Sequence, residues 1–278
     1  MEKTRAAQIT AKALRTRKQY LGADSHLPIC PYVLCEAMGF DLRFVKINSF
    51  EGMYVANQNL ILISAERPEG RKRFTCAHEI GHHVLGHGTV IDEILKCGSS
   101  NIEEEEADFF ASILLMPSSA VKRIMLRTGI STATISSTDA YILSKYFGVS
   151  YQSFLLQLYF NLGLISYIKY QELKIRTLPE IRLSISGLKI KGQVLSIGAW
   201  WDEKAIELEV GDYIVSEKEL LIDGPKIVQP LDDGNDHCYL ATKPGITRVF
   251  SNGWDCFVKI SRYKFHGIYQ FKFDEDEE

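Results

Sequence analysis

The sequence predicts an α+β protein in which helices and a strand pair precede an all-β domain. Apolar residues recur at three- and four-residue spacing from Phe74 to Leu85 and again from Ala107 to Leu114, which is typical of helices. From about residue 181 the pattern changes to short apolar or alternating runs broken by Gly, Pro and Asp, which is typical of strands. We therefore expect a first domain over 1–117, a helical segment over 118–176, an all-β domain over 177–273 and an acidic tail over 274–278.

The composition is that of an ordinary soluble globular protein. The chain has 278 residues, of which 46% are hydrophobic and 24% charged, and this length suits two or three domains. No apolar run follows Met1 to Arg5, so we expect neither a secretory signal nor a membrane span, and we expect a cytoplasmic location. The cysteines form no Cys-x-x-Cys pair, which favours reduced thiols; they are Cys30, Cys35, Cys76, Cys97, Cys238 and Cys256.

A His-Glu-x-x-His pattern runs from His78 to His82. Residues four apart share one face of a helix, so His78 and His82 can bind one metal ion while Glu79 lies beside the metal-bound water. A helix is expected because Pro68 to Gly70 form a start region and Gly86 supplies a stop. The pattern therefore predicts a zinc hydrolase in which Glu79 is the general base.

A zinc hydrolase needs an oxyanion donor in addition to its ligands and its base. Three protein ligands leave a fourth position on zinc for water, whose proton Glu79 would take and pass to the leaving amine. His83 is rotated by about 100° from His82, and His87 lies beyond the usual four-residue partner. We therefore expect each to support a ligand or to lie on the surface, and not to bind the metal. Four side chains are unranked candidates for the oxyanion donor: Tyr54, His83, His87 and Tyr141.

The third metal ligand does not come from a metzincin-type extension. That subclass requires a Gly three residues after His82 and a His six residues after it, and those positions hold Leu85 and Gly88. The other common source is a carboxylate from a second helix. Residues 101–117 supply four: Glu103, Glu104, Glu105 and Glu106.

Helical geometry selects among these four carboxylates. At about 100° per residue, the apolar residues from Ala107 to Leu114 define the buried face of the second helix. Glu103 and Glu106 fall on this face, whereas Glu104 and Glu105 point elsewhere and are interpreted as a solvated first turn. We predict Glu106 as the third ligand, with Glu103 as the second choice.

Two segments resemble the signature segments of a known family in order and spacing. They are Arg73-Phe74-Thr75-x-Ala77-His78-Glu79-Ile80-Gly81-His82 and Glu106-Ala107-x-x-Phe110-Ala111-x-x-Leu114-Leu115-Met116-Pro117. These segments are similar to those of the ImmA/IrrE-type metallopeptidases, bacterial and phage-borne proteases that act on helix-turn-helix repressors. The resemblance covers about residues 1 to 170 and implies a zincin-like fold, a Zn²⁺ cofactor and the Glu that precedes Ala107, which is Glu106, as the third ligand.

The resemblance also implies a function. We expect a zinc-dependent, site-specific endopeptidase that cleaves a helix-turn-helix transcriptional repressor and so relieves repression. Three alternatives stay open: a non-catalytic, antitoxin-like regulator that binds a repressor on a zincin scaffold, a DNA-binding regulator with a vestigial metal site, and a general peptidase. A divalent metal other than zinc also stays open.

A predicted hairpin precedes the metal-binding helix. Met53 to Ala56 and Leu60 to Ser64 flank the turn Asn57-Gln58-Asn59. An extended substrate could pair with an edge strand above the metal. A purely structural hairpin is an equal alternative.

The segment from Asp139 to Phe160 has the pattern of a helix-turn-helix, with a turn at Gly148-Val149-Ser150. A second helix that reads DNA needs cationic or amide side chains, but no Lys or Arg occurs from Tyr146 to Ile168. We interpret this helix as a packing helix or a docking surface for a protein, which disfavours direct nucleic-acid binding.

The C-terminal part contains eight runs that predict strands. They are Ile181 to Ile185, Leu188 to Ile190, Val194 to Ile197, Ile206 to Val215, Cys238 to Ala241, Thr247 to Phe250, Phe257 to Ile260 and Ile268 to Phe273. None of these runs contains a motif that identifies a ligand, so the role of this domain is not predicted.

Overall fold

The computed structural model describes residues 2–87, 90–93, 102–201, 204–231, 237–251 and 253–274. These residues form two compact units. The first comprises Met1–Leu126, Leu143–Leu164 and His266–Tyr269, and the second comprises Arg127–Ile142, Ile165–Phe265 and Gln270–Glu278. The acidic tail, apart from Asp274, and Cys97 lie outside the described residues. The predicted domain boundaries stay predictions.

Helices and strands are both present, which confirms the α+β class. The helices of the first half of the chain are α1 (Lys3–Leu21), α2 (Pro31–Ala37), α3 (Glu69–Leu85), α4 (Ile102–Leu115) and α5 (Ser118–Thr128). The His-Glu-x-x-His pattern lies in α3, as predicted. This helix begins after Pro68 and ends at Gly86, whose φ of 84° lies in the left-handed region that favours glycine at a helix end.

A five-stranded sheet belongs to the first unit. Its strands are β1 (Asp41–Val45), β2 (Phe50–Val55), β3 (Leu60–Ser64), β4 (Val90–Glu93) and β13 (Gly267–Ile268), in the order β13-β1-β3-β2-β4. Strands β2 and β3 form the predicted hairpin, with Val55 opposite Leu60. Strand β4 pairs with β2, so β2 is an inner strand and the hairpin does not present an edge there.

The core of the first unit lies where α3 packs against α4 on one side and against β2 and β3 on the other. Ile61, Ile63, Ile80 and Phe110, from β3, α3 and α4, are fully buried. Burial of an aliphatic or aromatic side chain of this size stabilises the fold by about 1.5–3 kcal/mol. This packing holds the polar face of α3 against the acidic start of α4.

Arg17 connects α1 to α4 from a fully buried position. Its guanidinium donates to the carbonyl oxygens of Ser25, Leu27 and Leu114. Burial lowers the pKa of Arg17 to about 10, so the side chain stays charged at neutral pH. The three carbonyls compensate for the lost hydration of that charge.

The helices that follow are α6 (Ser137–Tyr146), α7 (Tyr151–Leu156), a π-helical turn (Gln157–Asn161), α8 (Tyr167–Ile175) and α9 (Leu178–Ser186). Helices therefore form at both predicted arms of the helix-turn-helix pattern, although the motif itself stays a prediction. Phe154, Leu155 and Leu158 are buried, and the rings of Phe147 and Phe154 stack with centroids 6.0 Å apart. These contacts support the interpretation of the second arm as a packing helix.

A C-terminal β region is present in the second unit. Its strands are β5 (Val194–Ile197), β6 (Ile206–Glu209), β7 (Tyr213–Ser216), β8 (Leu221–Asp223), β9 (Val228–Pro230), β10 (Cys238–Ala241), β11 (Gly245–Ser251) and β12 (Trp254–Ser261). They form two four-stranded sheets, in the orders β5-β7-β10-β9 and β6-β12-β11-β8.

Three of the strand predictions were wrong. The run Ile181 to Ile185 is helical because Thr177 and Glu180 form a capping box that starts α9. The run Leu188 to Ile190 follows that helix and forms no strand. The run Ile268 to Phe273 contributes only the short strand β13, which pairs with β1 of the first unit, and the three residues from Tyr269 form a turn of 3-10 helix.

One stretch of the described chain, Ile102–Thr128, is long and apolar enough to cross a membrane by length and composition. However, 67% of the relevant window is buried inside the structure. A buried core helix passes the same test, so this is a weak indication of a membrane span.

We predict that Arg17→Met unfolds the protein more easily than Arg15→Met. The first change leaves the carbonyl oxygens of Ser25, Leu27 and Leu114 without this donor and should lower the free energy of unfolding by about 3 kcal/mol. Arg15 is exposed on the same helix, so its replacement should cost about 0.5 kcal/mol or less. Urea titrations of the two variants measure the difference. Equal midpoints would show that Arg17 does not hold α1 to α4.

Candidate metal centre

Helix α3 places the two histidines of the motif side by side. The Nε2 atoms of His78 and His82 lie 2.9 Å apart, and both rings are buried. The Nδ1 atom of His78 lies 2.8 Å from Asp108 Oδ1, and that of His82 lies 2.9 Å from His87 Nδ1. The outer nitrogen of each ring therefore has a partner, and the two Nε2 atoms face the same point.

Glu104 of α4 completes this cluster. Its Oε2 lies 3.2 Å from His78 Nε2, and its Oε1 lies 3.6 Å from His82 Nε2. One atom from each of His78, His82 and Glu104 lies within 4.8 Å of the others, which is close enough for the three to hold one metal ion. Two imidazole nitrogens and one carboxylate oxygen form a donor set that suits zinc.

The orientation of Glu104 differs from the expected one. It was expected to point away from the site, yet it is the carboxylate next to both histidines. The reason is that the centre of the buried face of α4, at Ala107 and Phe110, is filled by packing, so the histidines meet the rim of that face. Asp108 lies four residues after Glu104, on the same side of the helix.

Glu106 is buried, as the helical geometry predicted, but it has other partners. Its carboxylate accepts hydrogen bonds from Arg5 Nε at 2.6 Å and Arg5 Nη2 at 2.5 Å, and it lies 3.3 Å from His87 Nε2. Hydrogen bonding to Arg5 lowers the pKa of Glu106. The assignment of Glu106 as a metal ligand stays a prediction, and the second choice, Glu103, is exposed.

The electrostatics of the cluster favour a cation. Burial acts to lower the pKa of His78, but hydrogen bonds to Asp108 and Glu104 outweigh burial and raise that pKa to about 10. Hydrogen bonds with His78 and His82 hold the pKa of Glu104 well below its usual range. A positive charge between these groups is therefore favourable, whether a proton or a metal ion supplies it.

Glu79 lies on α3 next to His78 and is fully buried. Its carboxylate contacts β2 at Gly52, where an added Cβ would lie 2.6 Å from Glu79 Oε1 and 2.4 Å from Thr75 Cγ2. Only a residue without a side chain leaves room for the carboxylate at this position. Strand β2 therefore forms one wall of the site.

The four candidate oxyanion donors occupy different places. The hydroxyl of Tyr54, on β2, lies 2.8 Å from His83 Nδ1. His87 contacts His82 and Glu106. Tyr141 lies in the second unit, where its hydroxyl accepts a hydrogen bond from the backbone nitrogen of Val194 at 3.3 Å. Tyr54 and His83 contact each other and lie on β2 and α3, the two elements that meet at Gly52 and Glu79.

Sequence reasoning missed three contributions to the site: Arg5, Gly52 and Asp108. Asp108 could have been found, because a carboxylate four residues after Glu104 shares its helix face. Arg5 and Gly52 come from distant parts of the chain, and no local pattern marks either of them.

Comparisons with known proteins support a metallopeptidase-type domain in this part of the chain. Residues 35–159 match the family described as peptidase M78, IrrE N-terminal-like domain. The radiation response metalloprotease IrrE of Deinococcus radiodurans is 32% identical over 114 residues, which are 39% of this chain and 33% of that protein. The chain thus spans about a third of the length of this curated relative.

Among solved structures, a Mycobacterium tuberculosis transcriptional regulator matches with 15% identity and a TM-score of 0.39. The match covers 55% of this chain and 46% of that one, a similarity too low to establish a shared fold. The family match and the histidine–carboxylate cluster define the class of protein: a metallopeptidase-type domain. The matched segment, residues 35–159, is similar to the IrrE N-terminal-like domain of this family, and it makes up less than half of the chain.

We predict that Glu104→Ala abolishes tight zinc binding, whereas Glu105→Ala retains one zinc ion per chain. The two residues are neighbours in the first turns of α4, but only Glu104 reaches the histidines, and Glu105 is exposed. Elemental analysis after dialysis measures the difference. Glu106→Ala serves as the third variant. If Glu104→Ala retains zinc and Glu106→Ala loses it, then Glu106 is the third metal ligand.

Proposed function

We propose that this protein is a zinc-dependent endopeptidase with His78, His82 and Glu104 as metal ligands and Glu79 as general base. The observation that carries the proposal is that His78, His82 and Glu104 converge on one point, and that Glu79, on the same helix as the two histidines, is buried. Bound there, zinc would supply a Lewis acid that lowers the pKa of a water molecule and polarises a peptide carbonyl.

Asp108 has a supporting role in this proposal. An imidazole that binds a metal through Nε2 carries its proton on Nδ1, and a carboxylate that accepts this proton orients the ring. Asp108 Oδ1 lies 2.8 Å from Nδ1 of His78, which matches that arrangement. His78 would therefore present its Nε2 lone pair without rotation of the ring.

Glu79 would move the proton during the reaction. Its carboxylate would take a proton from the attacking water and return it to the leaving amine. The packing of β2 at Gly52 restricts the position of the carboxylate. The entropy cost of orienting the base is therefore met on folding and not during the reaction.

Tyr54 is the proposed donor to the developing oxyanion, with His83 donating from Nδ1 to the tyrosine oxygen so that the phenol proton is directed at the substrate. Burial raises the pKa of the Tyr54 hydroxyl and lowers the pKa of His83, so near neutral pH the pair consists of a protonated phenol and a neutral imidazole. A neutral phenol can donate a hydrogen bond to negative charge. The hydrogen bond to His83 holds Tyr54 on the Glu79 side of α3, since residues 79 and 83 are four apart.

A helix-turn-helix repressor is the proposed substrate, and relief of repression in the cytoplasm is the proposed outcome. The similarity of residues 35–159 to the IrrE N-terminal-like domain, together with the resemblance of the two signature segments to ImmA/IrrE-type metallopeptidases, supports this substrate class. The rival of a DNA-binding regulator is disfavoured because the second arm of the helix-turn-helix pattern buries Phe154, Leu155 and Leu158 and carries no Lys or Arg. A non-catalytic repressor-binding protein and a general peptidase are the remaining rivals.

We expect purified wild-type protein to contain one zinc ion and to cleave a repressor encoded near its gene, whereas Glu79→Gln should retain zinc and lose cleavage. The amide cannot act as a base but has the same size as the carboxylate. An unrelated unfolded protein is the control substrate. Its rapid cleavage would indicate a general peptidase. Binding of the repressor without cleavage by wild type would indicate a non-catalytic regulator.

We predict that Gly52→Ala reduces cleavage by about 100-fold while one zinc ion stays bound, since a displacement of about 1 Å in a catalytic group can have this effect. The added methyl group would overlap with Thr75 and with the carboxylate of Glu79, and no histidine atom is among its nearest neighbours. The control is Met53→Ala, because successive side chains of a strand point to opposite faces. Full activity of Gly52→Ala would show that the position of Glu79 does not depend on β2.

A further inference from the structure

The Nδ1 atoms of the two histidines have different partners. The Nδ1 atom of His78 contacts Asp108, whereas the Nδ1 atom of His82 contacts another imidazole, that of His87, at 2.9 Å. His82 is fully buried and His87 is nearly so. The orientation of His82 therefore depends on how His87 is held.

A backbone hydrogen bond fixes the position of the His87 main chain. After Gly86 ends α3, the backbone nitrogen of His87 donates to the carbonyl oxygen of His82 at 2.9 Å. The ring of His87 is thereby returned toward the ring of His82, with centroids 5.1 Å apart. Its other nitrogen, Nε2, lies 3.3 Å from Glu106 Oε2.

Glu106 is held in turn by α1. The Nε and Nη2 atoms of Arg5 approach the two carboxylate oxygens at 2.6 and 2.5 Å, in the two-point geometry that is strongest for this pair of groups. This contact keeps the carboxylate charged and directed at His87. Arg5 lies outside residues 35–159, the segment that matches the family.

Only one direction of hydrogen bonding fits a metal on His82. If Nε2 of a neutral His82 binds the metal, its Nδ1 carries the proton and donates to Nδ1 of His87. His87 then carries its own proton on Nε2 and donates to Glu106. Glu106 accepts from His87 and from Arg5, so every polar atom in this series has a partner of the right kind.

We propose that Arg5, Glu106 and His87 are positioning residues that hold His82 through this series of hydrogen bonds, so that helix α1 completes the metal centre. The proposal rests on the proposed function, because it requires His82 to be a metal ligand. It assigns Glu106 a role in the site that differs from ligation. The three residues never touch the metal.

The test compares zinc affinity in four full-length proteins: wild type, His87→Phe, His87→Gln and Arg5→Met. Phenylalanine fills the space of the ring but offers no acceptor for His82. Glutamine offers both an amide oxygen and an amide N–H, so it can restore part of the series. Lys12→Met is the matched control, because Lys12 also joins α1 to α3, through the carbonyl oxygen of Val84 at 3.0 Å, without touching the series.

Chelator competition measures the zinc dissociation constants, and visible absorption of the cobalt-loaded proteins reports the coordination geometry. We expect zinc affinity to fall by about 10- to 100-fold in His87→Phe and Arg5→Met. This is the usual effect of removing a residue that orients a metal ligand through hydrogen bonds. His87→Gln should regain much of this affinity, and Lys12→Met should match wild type. The cobalt spectrum should change in His87→Phe and return toward that of wild type in His87→Gln.

Urea titration of each protein without metal separates positioning from folding. A loss of zinc affinity that exceeds the matched loss in Lys12→Met, at equal metal-free stability, supports the proposal. If His87→Phe and Arg5→Met bind zinc within twofold of wild type, or if His87→Gln binds as weakly as His87→Phe, the proposal is overturned. Absence of zinc binding in wild type would overturn both the proposed function and this proposal, whereas zinc binding without proteolysis would overturn the proposed function alone.

Discussion

Burial of polar side chains along α3 is the constraint on which the first unit depends. This helix does not have one apolar and one solvated face, because its buried residues include Glu69, Lys72, Arg73, Thr75, His78, Glu79 and His82. A buried polar group without a partner costs about 1–3 kcal/mol, and a buried charge costs more. The elements around α3 must therefore supply partners as well as apolar contacts.

Those partners differ at the two ends of the helix. Near the N-terminus, Glu69 lies 2.9 Å from Lys72 Nζ and 3.3 Å from Arg73 Nε, so the charges compensate one another within α3. Near the C-terminus, the partners of the histidines come from α4 and from the residue that follows α3. The N-terminal half can thus be buried as a local ion-pair group, whereas the metal-binding half requires other helices to be in place.

The carboxylates of α4 contact different partners because they point in different directions around the helix axis. Glu104 and Asp108 are four residues apart and face His78 together, whereas Glu106 is rotated by about 200° from Glu104 and faces α1. Hydrophobic periodicity placed Glu103 and Glu106 on the buried face; Glu106 is buried, whereas Glu103 is exposed. The periodicity could not distinguish a carboxylate that is buried against a metal from one that is buried against an arginine, because both satisfy the same pattern.

The parts of the fold that could be predicted are those with local signals. The start and end of α3, its motif and the β2–β3 hairpin each depend on residues within one segment. The helix α9 also had a local signal, the Thr177–Glu180 capping box, which the strand prediction from Ile181 did not include. The pairing of β13 with β1 joins residues more than 200 positions apart, such as Arg43 and Ile268, and no spacing in the sequence indicates such a pair.

The N-terminal helix α1 contacts both α3 and α4 through cationic side chains. Carbonyl groups at the C-terminal ends of helices carry partial negative charge and attract cations. Lys12 donates to Val84 near the end of α3, and Arg17 donates to Leu114 near the end of α4. Arg5 adds a third contact, to Glu106 in the middle of α4. Since all three cations belong to one helix, α1 restrains the two helices that carry the histidines and Glu104. Of these contacts, that of Arg5 leads to the candidate metal centre through Glu106 and His87, so the proposed positioning of His82 depends on a helix that precedes the matched family segment.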